Sequence, residues 1–149
     1  MLVFSQFVGM LQIIRKRLSR EGVKTLYLDG STPPETRQEL CDRFNGGEGQ
    51  VFLISLKAGG TGLNLTGADL VIHYDPWWNP AVEDQATDRA HRIGQTKDVD
   101  VIRLIAQGTI EEKVTDLSKR KRAIFDRVVL AGETALESLT EEDIRSLFF

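Results

Sequence analysis

Short runs of apolar residues alternate along the chain with longer stretches in which apolar residues recur every three or four positions. Each run has the length and composition of a buried strand, which predicts five strands at residues 2–4, 25–28, 51–55, 70–74 and 99–105. Strands that alternate with helices form a parallel sheet with helices packed on its faces. The pattern therefore predicts an α/β domain.

Capping residues and glycines predict the bounds of four helices. The first helix carries an apolar stripe from Phe7 to Leu18 and stops at Gly22. The other three starts combine a capping residue with a nearby proline or acidic residue: Thr32 with Pro34 and Glu35, Asn79 with Pro80, and Thr109 with Glu112. The second helix is expected to end at Asn45 and the third at Gly94.

The composition is that of one globular domain of 149 residues, with 41% hydrophobic and 28% charged residues. No apolar run approaches the roughly 20 residues that span a bilayer, and the first ten residues have no secretion-signal pattern. Cys41 is the only cysteine, which excludes an internal disulfide and a cysteine-based zinc site and favours a reducing compartment. We expect no membrane association and no metal ligands in this chain.

The net charge of −3 conceals an uneven distribution. Basic residues gather at 15–20 and 113–127, whereas the charged residues of 133–143 are acidic. Solvated helix faces explain many such clusters, although a basic patch is also the electrostatic mark of a nucleic-acid binder. The change in composition predicts two parts, a domain at 1–130 and an acidic linker with a short C-terminal helix at 131–149.

A glycine-rich segment, SLKAGGTGLNL, follows the third predicted strand. Gly59, Gly60 and Gly62 lack a Cβ, so the backbone N–H groups around them can approach a phosphate closely. A tight turn at the end of a strand explains the same glycines without any ligand. The chain contains no G-x-x-x-x-G-K-[ST] sequence, so it lacks the loop that holds phosphates in P-loop enzymes.

Two arginines and a glutamine recur at helical spacing in the third predicted helix. Gln85, Arg89 and Arg92 stand at i, i+4 and i+7, which would place them on one helix face. Arginine binds phosphate oxygens through a planar, permanently charged fork. The spacing is equally consistent with a surface helix whose arginines pair with Glu83 or Asp88.

The order of these motifs resembles that of a known family. The segments VFSQF, LDGSTPPETRQELCDRFN, SLKAGGTGLNLTGADLVIHYDPWWNP and DQATDRAHRIGQ are similar to helicase motifs IV to VI of the SWI/SNF branch of superfamily 2. The resemblance covers residues 2–95, and residues 99–130 resemble the last strand and long helix of that family. It implies a RecA-like three-layer α/β/α domain with a mainly parallel central sheet, followed by a C-terminal helical extension.

The resemblance implies one half of an ATP site. Arg89 and Arg92 match the arginine fingers that stabilise the γ-phosphate in the transition state, and Gln85 matches a residue that positions that phosphate or the attacking water. The further nucleotide-side positions are Gly60, Gly62 and Asn64. ATP with Mg²⁺ would be held mainly by an N-terminal RecA-like lobe of the same protein, which this chain does not include.

The resemblance also implies contacts to the backbone of double-stranded DNA, independent of base sequence. The matching positions are Ser5, Gln6, Ser31, Thr32, Lys57, Ala58, Gly59 and Trp78. An indole can stack and also donate a hydrogen bond, although a tryptophan pair between prolines often serves packing alone. We expect Trp77 to be more buried than Trp78, and His73 and Cys41 to lie in the core.

The motifs therefore indicate the second motor lobe of an ATP-dependent double-stranded DNA translocase or remodeller. Two alternatives stay open: a stand-alone nucleic-acid-binding or regulatory RecA-like module without catalysis, and a lobe of a strand-separating helicase. We expect Met1 to lie within a longer protein, and this chain alone to be monomeric and inactive as an ATPase. Short loops favour a bacterial or archaeal source and a cytoplasmic or nucleoid location, whereas a eukaryotic protein would be nuclear.

Overall fold

The computed structural model describes residues 1–59, 62–91, 95 and 97–131. Strands and helices alternate over most of this length. Their order is β1 (Leu2–Ser5), α1 (Val8–Arg20), β2 (Thr25–Leu28), α2 (Pro34–Asn45), β3 (Val51–Ser55), α3 (Leu56–Gly59), β4 (Leu70–His73), α4 (Pro80–Thr87), β5 (Asp100–Arg103) and α5 (Ile110–Ala131). None of the helices among these residues is long and apolar enough to cross a membrane.

The strands form one parallel sheet in the order β2-β3-β1-β4-β5. All five predicted strands are present, which confirms the α/β fold class. The fifth is shorter than the predicted 99–105 because it lies at the edge of the sheet, where β4 is its one neighbour. That neighbour ends at His73, which is paired with Arg103, and the ladder stops there.

Successive residues of the central strands point to opposite faces of the sheet, and each face has its own core. On one face Val3 and Leu53 pack with Leu11 of α1. On the other face Phe4 and Phe52 belong to a larger cluster of buried residues, which extends into α2, α3 and α4. Helices therefore cover both faces, giving the expected three layers.

The predicted end of α1 and the predicted starts of α4 and α5 are confirmed. Gly22 follows α1 with a φ of 74°, a left-handed conformation that glycine adopts without strain. The side chain of Asn79 accepts a hydrogen bond from the amide of Ala81, 3.2 Å away, at the start of α4. Thr109 caps α5 by accepting from the amide of Glu111 at 3.2 Å.

The predicted capping box at Thr32 is wrong. Pro34 does take the first helical position of α2, but the residue before the helix is Pro33 and no side chain caps the helix start. The hydroxyl of Thr32 instead accepts a hydrogen bond from the amide of Asp29, 3.1 Å away. The hydroxyl of Thr32 is therefore engaged in a local turn with Asp29 and does not cap the helix.

The prediction that the third helix runs to Gly94 is also wrong. Helix α4 ends at Thr87, and Asp88 and Arg89 follow it in a turn. The amide of Arg89 bonds to the carbonyl of Ala86 at 3.2 Å, a tighter spacing than the α-helical one. Its carbonyl accepts from Leu65 in a distant loop, so the backbone leaves the helix to make this tertiary bond. Gly94 itself lies outside the described residues.

Candidate nucleotide and nucleic-acid interface

Residues from three motifs meet at the carboxyl edge of the sheet, where parallel strands place the loops that follow them. Gln6 follows β1, Lys57 lies in α3 directly after β3, and Gln85 lies on α4. These three side chains line a cavity of about 270 Å³, whose other walls are Leu56, Trp77 and Val82. Lys57 and Gln85 are exposed, so an ammonium and an amide are open to a ligand.

Asp75, which the sequence reasoning did not single out, holds the first of these residues in place. It lies just beyond β4 and is 6% exposed. Its carboxylate accepts hydrogen bonds from the hydroxyl of Ser5 and from the amide of Gln6, the latter at 2.9 Å. The hydroxyl of Ser5 is buried, and the same Asp75 carboxylate that it bonds holds the backbone of Gln6. An aspartate directly after a predicted strand was the signal that could have identified it.

The helical turn α3 presents one side chain to solvent and buries its neighbours. Lys57 is exposed, whereas Ala58 and Gly59 are buried. A Cβ at Gly59 would lie 2.9 Å from Cε1 of Phe4, so this position has no room for a side chain. Glycine at 59 is thus required by packing, which sequence alone did not distinguish from phosphate binding. The neighbouring Gly60 lies outside the described residues.

The loop after α3 is fastened at several points. Gly62 has a φ of 52°, and both it and Asn64 are exposed. The side chain of Asn45 donates to the carbonyl of Asn64 and accepts from the amide of Gly67, both at 2.9 Å. Asn45, predicted only as a helix end, therefore determines the path of this loop.

Gln95 ties the end of the arginine-bearing segment to the same loop. Its side-chain amide donates to the carbonyls of Thr66 at 2.9 Å and Ala68 at 2.8 Å. Together with the bond from Leu65 to Arg89, these contacts join the two motifs that sequence places more than twenty residues apart.

Gln85 and Arg89 do not share a face of one helix, because α4 ends between them. Gln85 is exposed at the cavity, whereas Arg89 is 7% exposed and lies against the glycine-rich loop. Arg92, the other predicted finger, lies outside the described residues. The structure thus brings Gln85 to the cavity of Lys57 and Gln6 and keeps Arg89 next to the loop of Asn64.

Ser31 and Thr32 belong to a turn organised by Asp29. The carboxylate of Asp29 accepts from the amide of Ser31 at 2.9 Å, from its hydroxyl at 2.6 Å, and from the hydroxyl of Tyr27 at 2.7 Å. The bond from the Ser31 hydroxyl is the main reason why the pKa of Asp29 is lowered. Guanidinium donors of Arg37 bind the carbonyls of Thr32 and Gly30. Ser31 remains exposed at this end of the sheet.

The tryptophan pair divides as expected. Trp78 is 52% exposed, while Trp77 is half-buried and packs against the core. The ammonium of Lys121 on α5 lies 5.0 Å from the centre of a Trp78 ring, within the range of a cation–π contact. The exposed indole therefore has a fixed basic neighbour.

His73 and Cys41 are both buried, which confirms their expected place in the core. The imidazole of His73 stacks on Phe4 with 5.6 Å between ring centres, and its Nε2 lies 2.9 Å from the hydroxyl of Thr87. Burial lowers the pKa of His73, and it raises the pKa of the Cys41 thiol. Among the described residues no three His, Cys, Asp or Glu side chains gather in a metal-ligating group.

Comparison with known proteins identifies the class of this domain. Residues 1–94 match the family described as "Helicase conserved C-terminal domain". The match covers more than half of the chain, so the chain belongs to the helicase conserved C-terminal domain family. It is homologous to ATP-dependent helicases of the SWI/SNF type, which confirms the resemblance.

Individual relatives agree over nearly the whole chain. A Mycoplasma pneumoniae protein described as an "Uncharacterized ATP-dependent helicase" is 43% identical over 148 residues, 99% of this chain and 14% of the relative. Helicase swr1 of Aspergillus fumigatus is 44% identical over 147 residues, 98% of this chain and 9% of the relative. The chain thus spans a small part of the curated relatives that it matches.

A solved structure supports the fold as well. The crystal structure of the C-terminal part of the Fun30 ATPase domain superposes with a TM-score of 0.76 at 46% sequence identity. The matched region covers 78% of this chain and 38% of that chain.

Proposed function

We propose that this chain is the second motor lobe of an ATP-dependent double-stranded DNA translocase or remodeller. The observation that carries the proposal is the cavity shared by Gln6, Lys57 and Gln85, one residue from each of three separate motifs. The loop of Asn64 is bonded to the backbone of Arg89 beside it. In this proposal one edge of the sheet carries both the nucleotide-facing segment and the DNA-facing surface.

The residues present fit one side of a bound triphosphate. Gln85 offers an exposed amide, and the segment that follows it carries the two arginines of the proposed fingers. Among the described residues that line this cavity there is no carboxylate, so its donors suit phosphate oxygens rather than a metal ion. ATP, when bound with Mg²⁺, would supply the free energy of hydrolysis, held mainly by an N-terminal lobe. Gln85, Arg89 and Arg92 would orient and neutralise the γ-phosphate from the opposite side of the cleft.

The proposed DNA surface lies on exposed groups of the same edge. Lys57 would pair with a phosphate as a point charge, and Ser31 would contact another by turning its hydroxyl from the carboxylate of Asp29 to the phosphate. Trp78 presents an indole face beside Lys121, a combination that suits a sugar–phosphate backbone. Ser5, Thr32 and Ala58 would act through the backbone that they shape, because their side chains are packed or bonded internally, and Gly59 would act through its backbone because it has no side chain.

Arginine replacement in the full-length protein tests this function. Arg92→Ala and Arg89→Ala should each lower ATP turnover about 10³-fold or more while DNA affinity is retained. Arg20→Ala, an exposed arginine at the far end of α1, is the matched control and should change neither quantity. Equal loss of turnover and DNA affinity would show that the arginines are structural.

Because Arg89 is 7% exposed, thermal unfolding of each variant must accompany the assay. A strand-displacement assay then separates a double-strand translocase, which should not release a strand, from a strand-separating helicase. The 149-residue chain alone should hydrolyse no ATP, since the lobe that holds the nucleotide is missing from it.

A further inference from the structure

Glu83 is a buried carboxylate that the nucleotide and DNA contacts do not use. It lies on α4, two residues before Gln85, and is 6% exposed. One carboxylate oxygen accepts a hydrogen bond from the backbone amide of Trp77 at 2.7 Å. The other accepts from Nε of Arg103 on β5 at 2.9 Å. Both oxygens are therefore engaged, which is what a buried charge requires.

The next residue along α4 connects the same region to α5. Asp84 accepts from a guanidinium nitrogen of Arg122, and a second oxygen lies 3.6 Å from Arg103. Ser118, also on α5, donates to the carbonyls of Trp77 at 3.1 Å and Trp78 at 3.3 Å. The tryptophan loop is thus bonded on its amide side to α4 and on its carbonyl side to α5.

Glu83 contacts both α4's own surroundings and the Trp77–Trp78 loop, the two regions to which the proposed function assigns different ligands. Its helix carries Gln85 and leads into the segment that the proposed function assigns to the nucleotide. The amide that it holds belongs to the loop whose outer residue, Trp78, faces DNA. A displacement of α4 toward or away from the γ-phosphate therefore acts directly on the Trp77 backbone through one carboxylate.

We propose that Glu83 is a positioning residue that couples the nucleotide-facing segment of α4 to the DNA-facing Trp77–Trp78 loop. The proposal rests on the proposed function, because it assigns the mechanical link between the two sites. Arg103 contributes to this coupling, because its guanidinium binds the second carboxylate oxygen and so holds the first oxygen toward the amide of Trp77. Loss of the hydrogen bond between Glu83 and Trp77 should leave the nucleotide site and the DNA site intact. DNA binding should then stimulate ATP turnover less.

The first test uses tryptophan emission of this chain, whose two tryptophans both lie in the loop. Glu83→Gln leaves one acceptor oxygen for two donors, and the charged Arg103 guanidinium competes best for it. The NH2 group then lies against the Trp77 N–H, so the Trp77 contact should loosen. Emission should shift to longer wavelength and become more accessible to acrylamide. Arg103→Gln should act in the same direction, Arg103→Lys should largely restore the native emission, and Glu35→Gln, an exposed glutamate on α2, should have no effect.

The second test measures coupling in the full-length protein. Glu83→Gln should reduce the stimulation of ATP turnover by DNA about 2- to 30-fold, more than it reduces turnover without DNA. Arg103→Gln, whose side chain is 39% exposed, provides a second variant that keeps the test open if Glu83→Gln lowers the melting temperature severely. Its effect should match in direction.

Distinct outcomes overturn the two proposals. Equal proportional loss of the DNA-stimulated and DNA-independent rates in both variants would overturn the coupling role, as would native tryptophan emission in both. Normal turnover in Arg92→Ala would instead overturn the proposed function, independently of the behaviour of Glu83→Gln.

Discussion

The backbone amide of Leu65 donates a hydrogen bond to the carbonyl oxygen of Arg89, 2.9 Å away. This bond joins the glycine-rich loop to the arginine-bearing segment at the point where α4 has ended. It follows that groups fastening the loop also position the backbone of Arg89.

Asn45 is one such fastening group. Asn45→Ala removes two hydrogen bonds to the loop, each worth about 0.5–1.5 kcal/mol, and should lower the free energy of unfolding accordingly. Amide hydrogen exchange at residues 64–67 should accelerate. Gln38→Ala on the same helix, which removes one exposed bond to Asp42, should leave exchange in the loop unchanged. Native exchange at residues 64–67 in Asn45→Ala would refute the fastening role.

Gly59 is required by the packing of Phe4. In Gly59→Ala the added Cβ would lie 2.9 Å from Cε1 of Phe4, a residue that is 1% exposed and whose ring stacks on His73. Overpacking of this kind should destabilise the domain by about 1–3 kcal/mol, measured by denaturant unfolding. Gly9→Ala is the control, because a Cβ at Gly9 meets nothing within 4 Å and favours the helix. Equal stability of both variants would contradict the packing argument.

His73 should make stability depend on pH. Its pKa is lowered in the folded protein from the ordinary value of 6.5, chiefly because burial disfavours the imidazolium. Well above pH 6.5 the imidazole is neutral in both the folded and the unfolded state, so its burial does not lower the free energy of unfolding through protonation. As pH falls below 6.5, the unfolded chain binds a proton that the folded chain does not, so the free energy of unfolding declines.

The matched variants use the two histidines of the chain. His73→Gln should flatten the decline in stability below pH 6.5, whereas His91→Gln, which replaces an exposed side chain, should preserve it. Chemical denaturation at a series of pH values measures both. A decline that is the same in the wild type and in His73→Gln would assign it to other groups.

Lys57 should contribute one phosphate contact. In the full-length protein, Lys57→Gln should weaken DNA binding for all sequences alike and reduce the slope of log K against log salt by about 1. Lys24, which precedes β2 at the opposite edge of the sheet, supplies the control variant Lys24→Gln. An unchanged slope in Lys57→Gln would place this ammonium off the DNA path.

Residue type and order were enough to name the three polar residues that line the cavity, Gln6, Lys57 and Gln85. Lys57 and Gln85 were each named from their motifs, but the cavity that they share was not predicted. Asp75 and Asn45 were missed because each acts on a segment at least nineteen residues away. A hydrogen bond over that separation leaves no periodic trace in the sequence.

Two errors share one physical cause. Thr32 was expected to cap α2 and Arg89 to continue α4, and both expectations followed from local propensity. In the folded chain Thr32 bonds to Asp29 and the carbonyl of Arg89 accepts from Leu65, so partners outside the helix took these groups. Local helix preferences of a few tenths to one kcal/mol yield to such bonds, whether the partner is three residues away, as for Thr32, or in a distant loop, as for Arg89.

By itself, the sequence determined the α/β architecture, the succession of strands, and the family whose motifs it carries, because these depend on periodicity and on residue order. Only the tertiary structure decided which of the motif residues are exposed at the cavity and which are buried. Ser5 and Gly59 carry the same kind of motif signal as Lys57, yet burial assigns them to the interior and Lys57 to the cavity. Glu83 shows the same limit: its role depends on where Trp77 and Arg103 lie in space, and that is set by packing of α4 against the sheet.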